Sequence, residues 1–171
     1  MKKLIVPALL SALLAACSST GPEATGTKVE DRSGAGVATV TAPSASGSGI
    51  AALTDPNNIL SKRSVFFDFD SFVIKAEAKP LVDAHARFLV QNPQMKMLIQ
   101  GNTDERGSRE YNLALGQKRA DAVKQALLLL GAKEAQIESV SLGEEKPRCT
   151  DSSEACFAEN RRGDMLYSGE F

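Results

Sequence analysis

Residues 101–119 read G-N-T-D-E-R-G-S-R-E-Y-N-L-A-L-G-Q-K-R, and this stretch carries the chain from a strand into a helix. Just upstream, Met95 to Gln100 is largely apolar and reads as a strand that Gly101 closes. Ser108 is a good helix N-cap, with Glu110 in the first turn, where the helix dipole favours an acid. The apolar positions Leu113, Gly116, Ala120, Val123, Leu127 and Leu130 then recur at alternating steps of three and four, the period of one helix face. Gly131 follows as a left-handed C-cap. Thr103 and Asp104 therefore lie between a strand end and a helix start. Asn112, Leu115 and Arg119 fall at i, i+3 and i+7 and share a second stripe. That stripe is offset by one residue from the apolar one, which places it at the edge of the core rather than under it. An Asp, an Asn and an Arg thus border one shallow groove, with an acceptor for an ammonium and a two-pronged donor for a carboxylate. Such a groove suits a zwitterion.

Outward from this stretch the chain alternates strands and helices. Ser64 to Phe69 (S-V-F-F-D-F) is rich in β-branched and aromatic residues and reads as a strand. A helix follows from about Lys75 or Pro80 to Gln91, with Leu81, Ala84, Phe88 and Leu89 at helical spacing and Pro80 in the first turn. Asn92-Pro93 ends it. Ile137 to Leu142 reads as a further strand, and Met165 to Phe171 as the last. This order predicts an α/β sandwich, a small mixed β-sheet with helices packed on one face. No internal repeat is visible.

The N-terminal part is different in kind. Lys2 and Lys3 precede an apolar run from Leu4 to Ala16, too short for a membrane span, which needs about 20 apolar residues. Its flanks fit an export signal. Leu14-Ala15-Ala16-Cys17 resembles the lipobox of bacterial lipoproteins, in which small residues admit the signal peptidase and the cysteine thiol accepts a diacylglycerol. Residues 1–16 are thus expected to be a signal peptide and Cys17 a lipidated N-terminus. Two or more acyl chains anchor stably where one does not. Ser18 after the cysteine points, by enterobacterial sorting rules, to the outer membrane, with the domain facing the periplasm. Residues 17–59 are rich in Gly, Ser, Thr, Ala and Pro, contain no Phe, Tyr or Trp, and read as a disordered, flexible linker. About 40 such residues have an r.m.s. span on the order of 35 Å. Residues 60–171 remain as one domain.

Charge and cysteine usage narrow the partners. Losing Lys2 and Lys3 from the 20 basic residues leaves 18 against 21 acidic ones, a net charge of −3. Nucleic-acid binding rests on phosphate neutralisation, so nucleic acid is set aside. Of the three cysteines, lipidation of Cys17 leaves Cys149 and Cys156 as an even pair in an oxidising compartment. A disulfide between them is favoured; a metal pair is the alternative, though two thiols alone make an incomplete zinc site. No cofactor is expected.

The run T-D-x-x-G-x-x-x-Y-N-x-x-L-G-x-x-R-A, matched from Thr103 to Ala120, resembles the C-terminal domain family of outer-membrane protein A, which includes flagellar stator proteins. N-T-D-E-R-G, F-D-F-D-S near residue 70, Val82-Asp83-Ala84-His85-Ala86, G-E-E-K-P and Asn160-Arg161-Arg162 resemble the peptidoglycan-associated lipoproteins within it. The resemblance implies a peptidoglycan ligand, the meso-diaminopimelate of stem peptides. It assigns Asp104 to the ligand ammonium and Arg119 to its carboxylate, with hydrogen bonds from Thr103 and Asn112. Phe69, Asp70 and Leu115 would form the pocket wall. Asp104 or Arg119 is expected to be removable with the fold intact, and a plain ion pair between them is the bland alternative. The implied partners are the periplasmic propeller protein TolB and the inner-membrane protein TolA. With them, in the Tol-Pal system, such proteins tie the outer membrane to the wall and help draw it inward at cell division. One departure from the family pattern is Gly163-Asp164, which interrupts the last apolar run. An unpaired Asp is costly to bury, so the last strand is expected to start late or lie at an edge.

Two rival functions have some footing. Asp68-x-Asp70 could hold a metal in an enzyme, but Phe72 stands where a phosphatase motif needs Thr. Asp104 with Glu105 or Glu110 offers a carboxylate pair for wall hydrolysis, but nothing around them suggests a buried acid with a raised pKa. His85, the sole histidine, reads as a hydrogen-bonded structural residue. An enzyme is not expected. The other rival is a generic wall-binding lipoprotein or assembly component outside the Tol-Pal machine.

Overall fold

The structure, a computed structural model, describes residues 48–171. The expected signal peptide, the Cys17 lipidation site and the linker as far as residue 47 lie outside the described residues. The elements are α1 (Ser48–Thr54), β1 (Ser64–Phe66), α2 (Lys79–Gln91), β2 (Met97–Asn102), α3 (Arg109–Leu129), β3 (Ile137–Gly143), α4 (Glu154–Asn160) and β4 (Arg162–Tyr167). One four-stranded sheet has the order β1-β4-β2-β3. β4 runs antiparallel to both β1 and β2, while β2 and β3 are parallel, so the sheet is mixed. The parallel pair needs a long crossover, which α3 supplies. Among the described residues no helix is long and apolar enough to cross a membrane.

The core forms where strand alternation meets helix periodicity. Val65, Phe67, Met97, Ile99, Met165 and Tyr167 point from the sheet toward Val82, Ala86 and Leu89 of α2 and Ala120, Val123 and Leu127 of α3. Ser108 caps α3 by accepting a hydrogen bond from the Tyr111 amide (3.2 Å). At the other end Gly131 takes φ +102°, and the amides of Gly131 and Ala132 donate to the carbonyls of Leu128 and Leu127. That is a Schellman ending. His85 is fully buried; its Nε2 bonds the Lys62 carbonyl, which can only accept, so Nδ1 accepts from the Tyr167 hydroxyl (both 2.8 Å). Burial lowers its pKa to about 4, so the ring is neutral at ordinary pH.

Three expectations need correction. The ends of the apolar stripe, Leu113 and Leu130, are exposed, while the stripe placed at the core's edge (Asn112, Leu115, Arg119) is buried. The helix is rotated toward its polar residues because the neighbouring loops give those residues partners. Second, the last strand starts at Arg162, earlier than expected, and runs between β1 and β2. Asp164 sits in this central strand without being unpaired: its Oδ1 accepts from Ser64 Oγ (2.6 Å) and Arg148 Nη2 (3.0 Å), and its Oδ2 from Arg162 Nε (2.8 Å). Third, order reaches further toward the N terminus than residue 60. Leu53 of α1 joins the core and its carbonyl accepts from Arg63 Nη2 (3.1 Å). In a helix of only seven residues, two turns at most, there is little period to read.

At two glycines the helix layer meets the sheet with no room for a side chain. A Cβ on Gly101 of β2 would stand 1.8 Å from the Gly116 carbonyl oxygen of α3. One on Gly116 would stand 2.8 Å from the Gly101 oxygen and 2.3 Å from Ser141 Oγ. Gly101→Ala is expected to lower the unfolding free energy by about 3 kcal/mol or more, since backbone must move to admit the methyl. Gly116→Ala should also destabilise, although helix propensity alone favours Ala there by about 1 kcal/mol. Urea denaturation of both variants checks this; a stabilised Gly116→Ala would show that the contact is looser than described.

Candidate functional site

The two-glycine contact sets the start of α3 beside the end of β2. Thr103 and Asp104 leave the strand there, both buried, and the Thr103 amide donates to the Gly143 carbonyl (2.8 Å). Gly107 turns the chain at φ +118° before Ser108 begins the helix. Asn112, Leu115 and Arg119 come from α3, and Phe69 and Asp70 from the loop after β1. These seven side chains, all expected from the sequence, line one pocket of about 210 Å³. Arg106, Gly107, Tyr111 and Arg161 complete its wall.

Arg119 is fully buried. Its Nε donates to the Ser71 carbonyl (2.8 Å), Nη1 to Asn102 (2.9 Å) and Nη2 to Asp68 (3.1 Å). Burial lowers its pKa to about 10, against the pull of Asp104, so it stays charged at neutral pH. A guanidinium has five N–H donors, so by count these three bonds leave one N–H on each terminal nitrogen.

Asp104 is held by other guanidiniums. Its Oδ1 accepts from the Arg106 amide and Nε (both 3.2 Å), and its Oδ2 from Arg106 Nη2 (2.7 Å) and Arg161 Nη1 (3.1 Å). Burial acts to raise its pKa, but the hydrogen bonds from Arg106 and Arg161 outweigh it and hold the carboxyl below its ordinary value. Among the described residues Asp104 and Arg119 form no ion pair, so the bland alternative is not what the structure has.

The remaining groups divide by chemistry. Thr103 Oγ1 is buried and has no hydrogen-bond partner, an expensive state for a hydroxyl unless something in the pocket bonds it. Asn112 Nδ2 donates to Glu144. Asp70 has φ +52°, a left-handed conformation that Asp tolerates, and accepts from the Tyr111 hydroxyl. That bond raises the Tyr111 pKa. Leu115 is apolar floor. Phe69 is exposed and lies against the Arg106 guanidinium, whose carbon is 4.2 Å from the ring centroid.

Arg106 and Arg161 are the residues whose roles sequence reasoning missed. Both sit inside quoted motifs, N-T-D-E-R-G and Asn160-Arg161-Arg162, but nothing in their spacing tells which carboxylate they reach. Arg161 also donates through Nε to the Phe67 carbonyl (3.1 Å) and pairs with Glu154 (2.8 Å). Glu154 and Phe157 ride on α4, which Cys149 and Cys156 brace through a disulfide with Cα atoms 5.3 Å apart. Asp68 of the D-x-D pair meets Lys75 (3.4 Å), and among the described residues no group of three or more His, Cys, Asp and Glu is placed to hold a metal.

The chain is similar to proteins of one known family. Residues 66–161 match the model of the OmpA family. A peptidoglycan-associated lipoprotein of Pseudomonas putida is 38% identical over 160 residues, covering 92% of each chain. One of Pasteurella multocida is 48% identical over 104 residues, 61% of this chain and 69% of the relative. The crystal structure of the peptidoglycan-associated lipoprotein from Burkholderia pseudomallei superposes with a TM-score of 0.67 at 56% identity, covering 68% of this chain and 99% of that one.

The buried bonds of Arg119 change one expectation. Arg119→Ala would strand three loop and strand carbonyls, so it should cost about 3 kcal/mol of stability rather than leave the fold intact. Chemical denaturation measures this, and a loss below about 1 kcal/mol would mean water replaces the guanidinium readily.

Proposed function

The chain belongs to the peptidoglycan-associated lipoproteins of the OmpA family, and on that premise we propose that its pocket holds the meso-diaminopimelate of wall stem peptides without covalent chemistry. The observation that carries this reading is the pairing of a buried, unpartnered Thr103 hydroxyl with a buried Arg119 that keeps two N–H groups unused. Both wait for an acceptor, and a carboxylate satisfies both at once. Asp104 takes the ligand ammonium, with Asp70 a second carboxylate on the wall. Asn112 adds a polar contact, while Phe69 and Leu115 enclose the ligand's methylene chain. Lys at position 119 would keep the charge and lose the fork.

Cys17 carries the lipid, and the segment after it is the tether that lets the domain find the wall from the outer membrane. Many exchangeable contacts then act together, because tethering raises the effective concentration of pocket and wall. The domain performs no reaction; it holds. TolB and TolA are its protein partners, and cell division is where that connection is used.

Co-sedimentation with purified sacculi tests the reading. The full-length chain in detergent should pellet with sacculi, and free diaminopimelate should release it. Arg119→Lys and Asp104→Asn should each weaken binding at least about tenfold, the loss expected for a charge-assisted bond. Binding unchanged in both variants would take the ligand out of this pocket.

A further inference from the structure

A difficulty at Asp104 leads beyond the reading above, on which this inference rests. The carboxylate that is to receive a ligand ammonium has both oxygens already engaged by guanidiniums, Oδ1 and Oδ2 by Arg106 and Oδ2 also by Arg161. An ammonium can reach it only by exchange. Arg161 is poorly placed to leave: its side chain is 7% exposed, and it is also tied to the Phe67 carbonyl and to Glu154. Arg106 is 35% exposed, next to exposed Glu105 and to Gly107 at its turn.

The surroundings of Arg106 favour two positions for it. Its guanidinium lies between two aromatic rings, 4.2 Å from the Phe69 centroid and 4.4 Å from that of Phe157. At its outer end Nη1 reaches Glu154 Oε2 (3.3 Å). Phe157 and Glu154 both belong to α4, so a stacking ring and a counter-charge remain available when the bond to Asp104 is given up. We propose that Arg106 is an internal competitor for the ligand: it occupies the ammonium subsite of the empty pocket and yields Asp104 to the incoming cation, staying on Glu154 and the rings. Exchange of one cation for another keeps the charge beside Asp104 balanced throughout. It also makes Arg106 a specificity residue. A ligand with a carboxylate alone can use Arg119 but cannot take Arg106's place, whereas a zwitterion does both.

The test compares two ligands that differ only in their amines. The full-length chain and its Arg106→Gln variant are titrated calorimetrically in detergent with meso-diaminopimelate and with pimelate. Arg106→Gln should bind diaminopimelate about threefold to tenfold more tightly, the size of one exposed ion pair stacked on a ring. Its affinity for pimelate should not rise. Weaker diaminopimelate binding in Arg106→Gln means that the guanidinium touches the ligand, and unchanged binding means that it is not in the way; either overturns the inference. Arg119→Lys in the same titration separates the two levels. If Arg119→Lys loses binding while Arg106→Gln gains none, competition is wrong and the pocket stands. If the unaltered chain binds no diaminopimelate, both fall. Thermal melts of the two variants confirm that folded protein is being titrated.

Discussion

The carbonyl of Gly116 stands where a side chain on Gly101 would have to be. Every part of the pocket depends on that approach of α3 to β2. With any side chain at Gly101 the helix would ride further from the sheet, and the polar stripe of Asn112, Leu115 and Arg119 would move away from Thr103 and Asp104. A strand end and a helix start are adjacent in sequence in many folds. Here the missing Cβ atoms also make them adjacent in depth, so that a helix residue donates to a strand carbonyl, Arg119 Nη1 to Asn102, at 2.9 Å.

Guanidiniums then do what apolar side chains do elsewhere in the fold. Arg119 holds the carbonyls of Asp68 and Ser71, and Arg161 those of Phe67 and, through Asp104, the strand end. The loop bearing Phe69 and Asp70 is held by these two side chains together with Tyr111 on Asp70 and Lys75 on Asp68. Burying charge is costly unless it is paired or bonded, and both arginines are. In the proposed function the same bonds would serve recognition, because groups already fixed in place lose little freedom when a ligand arrives.

Much of this was legible in the order of residues. The Ser108 cap, the Gly131 ending and the alternation of strands with helices led directly to a mixed sheet under helices. Five of the seven pocket residues could be named because one matched motif, Thr103 to Ala120, carries them together, and Phe69 and Asp70 because the F-D-F-D-S run resembles the same family. What could not be read has a common cause. Asp164 looked like a strand breaker because two of its three partners, Ser64 and Arg148, are 100 and 16 residues away. The stripe of Asn112 and Arg119 looked peripheral because helical spacing marks apolar faces, and buried polar residues are recognisable only by acceptors supplied from other elements. Arg106 was overlooked for the opposite reason: it reaches Asp104 across two residues, in a loop where no period applies.

The pocket thus combines a rigid half, Arg119 and Arg161, with an exposed half, Arg106 and Phe69, around one buried hydroxyl that has no partner of its own. The most direct measurement is a crystal structure of the chain with a diaminopimelate-containing stem tetrapeptide. A ligand carboxylate should lie about 3 Å from both Arg119 terminal nitrogens or from one of them and Thr103 Oγ1, normal hydrogen-bond reach. A stem peptide seated elsewhere, with Thr103 still unpartnered, would contradict the central claim.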